Sequence, residues 1–202
     1  MFDGSELHTE TSADGDGVEL KREARLRKPF RPSKRIEEWT VGQLFAAGYN
    51  AVHGTNLRLA APRDDRDADL VLVYERPQVV KRDSSILICE RVQIVKCADS
   101  RIWKALARDG IYTDDLSESQ VVDEILEGIA GKKKHRYSNA AQLILLLDGG
   151  MTAVLRQTLE RMSSRNSGTL NEAGFKEIWY ASRATGEAFR LYPSIATETR
   201  YI

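Results

Sequence analysis

The stretch SSILICERVQIV, Ser84 to Val95, decides the fold. Ile86, Leu87, Ile88, Val92, Ile94 and Val95 form the near-continuous apolar run of a strand buried on both faces, so the sheet it belongs to needs a layer on either side. Glu90 interrupts that run. A carboxylate at such a position gives up hydration on the order of several kcal/mol unless a partner replaces it. A partner for Glu90 is therefore expected.

Upstream, SKRIEEWTVGQLFAAGYN places Ile36, Val41, Leu44 and Phe45 at helical spacing, with Ser33 as N-cap and Gly48 as the stop. AVHGTNLRLA reads as a first strand, the acidic PRDDRDAD as a loop, and LVLVY, Leu70 to Tyr74, as a short buried strand. ERPQVVKRDS carries turn residues into the Glu90 strand, and residues 96–116 read as a polar connection. SESQVVDEILEGIAGKKKHRY then predicts a second helix capped near Ser117 or Ser119, with Val121, Val122, Ile125, Leu126 and Ile129 inward.

AAQLILLLDGG follows as a buried strand ended by two glycines, and MTAVLRQTLERMSSRN as an amphipathic helix. FKEIWYAS and AFRLYP close the chain as strands joined by a turn at Thr185-Gly186. The order α-β-β-β-α-β-α-β-β predicts an α/β fold, a mixed central β-sheet flanked by helices. That domain spans 34–193, between a polar and then basic N-terminal arm, 1–33, and a C-terminal tail, 194–202. There is no internal repeat.

Thirty basic and thirty acidic residues cancel, so net charge offers no footprint for a nucleic-acid partner and local clusters must carry that argument. Cys89 and Cys97, eight residues apart on one extended run, make neither a disulfide framework nor a zinc site. No apolar run approaches the roughly 18–20 residues of a membrane span, and the N-terminus has no secretory hydrophobic segment. A cytoplasmic, reduced protein without a membrane partner is expected. LDGGMT lacks the lysine and glycine spacing of a phosphate loop and reads as a turn. His8 and His53 have no triad partners nearby in sequence, and Trp39, Trp103 and Trp179 read as core or half-buried aromatics.

Asp69 opens the buried strand that precedes Glu90. If Tyr74 and Glu75 pair near Ser85 and Ile86 in an antiparallel hairpin, residues 69–70 face 90–91 and the two carboxylates converge. Like charges that close need a cation between them or a shared proton. A hard divalent ion suits the first case, because Mg²⁺ commonly takes one or two carboxylates with water and phosphate.

With Asp69 in DADLVL, Glu90 in ICERV and Glu37 in RIEEWTVGQLFAAGYNAV, the chain resembles the PD-(D/E)XK, or restriction-endonuclease-like, nuclease superfamily over residues 35–148. The resemblance implies an α-β-β-β-α-β core and hydrolysis of phosphodiester bonds, with DNA the expected substrate. It implies that Asp69, Glu90 and the Arg91 carbonyl hold Mg²⁺ or Mn²⁺, and that Glu37, or Glu38 in a one-residue shift, assists. Arg91, Lys132, Lys134, His135 and Arg136 would reach the nucleic-acid backbone, giving affinity without sequence choice. A homodimer or a recognition partner would supply specificity.

The position two after Glu90 holds Val92, where the family carries lysine. Lys133, in IAGKKKHRY, is the expected substitute, with Lys132 and Lys134 as alternatives. Alternation aims Gln93 away from Glu90's face, and Lys96 shares that face but lies about 20 Å along the strand. A second reading follows from the missing lysine: a nuclease scaffold without catalysis, serving to bind nucleic acid or protein. Asp69 and Glu90 facing apart, or Glu90 locked to an arginine such as Arg58, would favour it.

Overall fold

Residues 19–25, 34–62, 68–74, 87–97, 111–133, 137, 139–150 and 152–193 are described in a computed structural model of the protein. The Glu90 strand, β4 (Leu87–Lys96), lies inside a six-stranded sheet, as its apolar run requires. On one side of it, β2 (Arg58–Ala60) and β3 (Leu70–Tyr74) form an antiparallel meander that ends on β4. On the other side β6 (Leu143–Asp148) and β7 (Glu177–Ser182) run parallel to it, and β8 (Glu187–Tyr192) returns antiparallel. The spatial order is β2-β3-β4-β6-β7-β8.

Parallel neighbours need crossovers, and the helices supply them. Helix α2 (Glu118–Lys133) connects β4 to β6, while α3 (Arg156–Arg165) and α4 (Ser167–Glu172) connect β6 to β7. All three pack on one face, where Val121, Ile125, Ile129, Leu159, Met162 and Leu170 meet Leu143, Leu145, Leu147, Ile178 and Tyr180. Helix α1 (Lys34–His53) covers the other face, with Val41, Phe45 and Tyr49 against Leu70, Leu72, Val92, Ile94, Ile144, Leu146 and Trp179. The alternate residues of β6 feed the two clusters, which is how an all-apolar strand serves both layers.

Three expectations change. Gly48 does not stop the first helix, which continues to His53 and ends before Gly54 at φ 63°. Gly48 instead allows close packing, since a Cβ there would stand 3.1 Å from the Ala188 Cβ, and the extra turn sets His53 against Trp179. The first strand consequently shrinks from AVHGTNLRLA to Arg58–Ala60. Finally, the presumed arm and the polar connection contain β1 (Glu19–Arg25) and β5 (Ile111–Ser117), paired antiparallel in a separate two-stranded sheet. The register sets Lys21 opposite Asp115 and Arg22 opposite Asp114, a charge pattern that no apolar periodicity announces.

Candidate functional site

The hairpin of β3 and β4 determines whether Asp69 and Glu90 meet. Leu70 pairs with Val92 and Leu72 with Glu90, and a bulge between Leu72 and Val73 absorbs the offset toward Tyr74–Leu87. The register is thus two residues beyond the one that sets 70 against 90. Asp69 sits beside Gln93: its amide donates to the Val92 carbonyl (2.9 Å), and its Oδ2 accepts the Ile94 amide (2.8 Å) and the Gln93 side-chain amide. Residues 90 and 93 are three apart on one strand, so they point to opposite faces about 10 Å apart along it. Asp69 and Glu90 do not converge.

Glu90's partners are a lysine and a tyrosine, neither the metal ion nor the arginine expected. Lys176 Nζ donates to both carboxylate oxygens at 2.7 Å, and the Tyr49 hydroxyl donates to Oε1 at 2.9 Å. The lysine arrives from the start of β7 and the tyrosine from the last turns of α1. Beside them Glu177 accepts the Trp179 indole N–H at 2.6 Å and stands 3.2 Å from His53 Nε2. His53 stacks on Tyr49, with ring centroids 4.2 Å apart. This end of the α1 face is a closed aromatic and ionic network.

The metal set of Asp69, Glu90 and the Arg91 carbonyl does not fit this arrangement. The two side chains lie on opposite faces, each already satisfied by protein donors, and the Arg91 backbone runs between Val71 of β3 and Leu143 of β6. Among the described residues, no group of three or more His, Cys, Asp or Glu side chains is placed to hold a metal ion. Lys133 ends α2, on the face away from Glu90, and its side chain lies outside the described residues, as do Lys134, His135 and Arg136. Lys132 is half-buried on the same last turn.

Glu37 is the candidate the fold treats differently. It is 2% exposed, in the first turns of α1, and pairs with Lys96 at the far end of β4. Lys96 is the register partner of Asp148, the last residue of β6, itself 2% exposed. Asp148 accepts the Gly150 amide (2.9 Å) and lies 3.5 Å from an Arg183 nitrogen. Burial raises its carboxyl pKa and the neighbouring Glu37 charge adds to that, while Arg183, Gly150 and Lys96 pull the other way. Glu37, Lys96, Asp148 and Arg183 so form a second ionic cluster, at the carboxyl ends of the parallel strands. The sequence sets Lys96 aside as too far from Glu90, and nothing local ties it or Asp148 to Glu37; only the pairing of β4 with β6 under α1 does.

Two further features are inert or distant. Cys97 is buried, and desolvation, reinforced by Asp148 and Glu124, drives its thiol far above the usual range, so it is no nucleophile. A cavity of about 470 Å³ at the start of α2 is lined by Glu118, Asp123, Arg161 and Arg165 among others. Glu118 already accepts Thr158 and Arg161 there, which lowers its pKa. No helix among the described residues is long and apolar enough to cross a membrane. No family model, curated protein or solved structure matches the chain.

Proposed function

We propose that the chain is a nuclease-like α/β module that binds nucleic acid without hydrolysing it. The observation that carries this reading is the state of Glu90, held by Lys176 and Tyr49 on the face opposite Asp69. A hydrolytic centre of the expected kind needs both carboxylates on one ion, and each is instead committed to holding the sheet together. The succession of α1, the β2-β3-β4 meander, α2 and the parallel β6 supports a restriction-endonuclease-like scaffold beneath it. Lys132, with Lys133, Lys134 and Arg136 next to it in sequence, supplies cations suited to phosphates.

The test is fluorescence anisotropy with labelled single-stranded and duplex DNA and RNA at two salt concentrations, alongside cleavage assays in Mg²⁺ and Mn²⁺. Binding that weakens steeply with salt, with every substrate left intact, is the expected result. Metal-dependent cutting lost in Asp69→Ala and Glu90→Ala would overturn the reading and restore the nuclease. Absence of binding to all four probes would move the partner to a protein.

A further inference from the structure

The ribbon of β1 and β5 matches only part of its charge internally. Lys21 stands opposite Asp115 and Arg22 opposite Asp114, but Glu19, Glu23 and Arg25 stand opposite the uncharged Ser117, Thr113 and Ile111. Among the described residues β1 pairs with β5 alone, so its other edge offers a row of backbone donors and acceptors to a further strand. A two-stranded ribbon is marginal by itself, and a strand added on that edge stabilises it. The seven residues of β1, ELKREAR, are complementary to their own reverse. Laid antiparallel about Arg22, the strand sets Glu19 against Arg25, Leu20 against Ala24 and Lys21 against Glu23.

We propose that β1 pairs with β1 of a second copy of this chain across a two-fold axis, joining two two-stranded ribbons into one antiparallel sheet ordered β5-β1-β1-β5. The pairing gives Glu19, Glu23 and Arg25 the opposite charges that β5 does not provide. Only a register that holds even positions against even ones keeps Leu20 and Ala24 on one face with Leu116 and Tyr112, their partners within the ribbon. A two-residue slip in either direction sets Lys21 against Arg25 or Glu19 against Glu23, which are like charges. At the axis Arg22 meets its own copy. Each Arg22 is backed by Asp114 of its own ribbon, so that row carries no net charge. The outer edge of β5 has no such match, since IYTDDLS reversed on itself sets Asp114 on Asp114 and Thr113 against Asp115. An isologous contact of this kind closes at two chains. It stands apart from the nucleic-acid reading, because it uses none of residues 132–136.

Sedimentation equilibrium of the full chain tests it, comparing the parent with Arg25→Glu and with the exchange variant Glu19→Arg/Arg25→Glu. The parent should be a dimer. Its dissociation constant should rise about tenfold in Arg25→Glu, which opposes two carboxylates at each end of the pair, and return toward the parent value in the exchange variant. Neither substitution removes a charged partner within the ribbon, because Ser117 and Ile111 are uncharged. Arg22→Cys gives a second readout: mild oxidation should link two chains covalently, since directly opposed strand positions lie within disulfide reach. Arg25→Cys and the parent, which carries Cys89 and Cys97, should not link. Circular dichroism checks each protein. A monomeric parent, a dimer indifferent to Arg25→Glu, a folded exchange variant that fails to recover, or no cross-link particular to Arg22→Cys would each overturn the proposal.

Discussion

Helix α1 covers two buried acidic clusters, one at each end, and they are built to opposite plans. At its C-terminal end Glu90 and Glu177 have both carboxylates engaged, by Lys176, Tyr49, His53 and the Trp179 indole. At its N-terminal end Glu37 keeps one oxygen bare and Asp148 is held above the ordinary aspartate pKa by burial. Among the described residues, the buried carboxylate oxygens are all engaged only in the first. The first plan gives a fixed joint between helix and sheet. The second leaves one buried acceptor unmet, a costly arrangement in a low-dielectric interior.

The strongest way to break this contrast is at the joint. Trp179 is fully buried and packs edge-on to Phe45, with ring centroids 5.4 Å apart, while its indole holds Glu177. Trp179→Ala should cost about 3–5 kcal/mol in denaturant unfolding, through the cavity and the orphaned Glu177. A cost below roughly 1 kcal/mol would mean that the joint carries little of the stability. Lys176→Met should come next, at about 1 kcal/mol, because Lys176 is 42% exposed but its partner Glu90 only 12%. Added salt should shrink that difference; a salt-independent loss would assign it to the lysine stem rather than its charge.

The smallest effect sharpens the other end. The Asp148 carboxyl has a raised pKa in the folded protein, so between its unfolded and folded values the native state binds more protons. Its ionisation therefore costs stability as pH rises through that window. Asp148→Asn, which can still accept the Gly150 amide, should match or slightly exceed the parent in stability at pH 7. The difference should vanish at acid pH, below the unfolded aspartate value. Thermal unfolding scans of both proteins across pH read this directly, and a variant less stable at pH 7 would show that the Arg183 pairing outweighs desolvation.

The strands and helices were legible where burial imposes a period. LVLVY, LILLLD and the apolar face of α2 pointed to a layered α/β sheet, and Glu90 announced its need for a partner without saying which. β1 and β5 escaped because neither ELKREAR nor IYTDDLS has the apolar run or the strict polar–apolar alternation that marks a strand. Gly48 misled because glycine serves both as a helix stop and as a place of close approach, and its sequence neighbours do not say which.

The two acidic clusters were not legible at all, although Glu37 and Glu90 were both singled out. Lys96 lies 59 residues from Glu37, and Lys176 86 residues from Glu90. By itself the sequence determined which segments are buried, their order and their type, because apolar periodicity is local information. Only the tertiary structure decided which carboxylate faces which cation. That choice rests on strand register, a one-residue bulge and the crossing of α1 over β4, β6 and β7, each set by packing between segments distant in the chain.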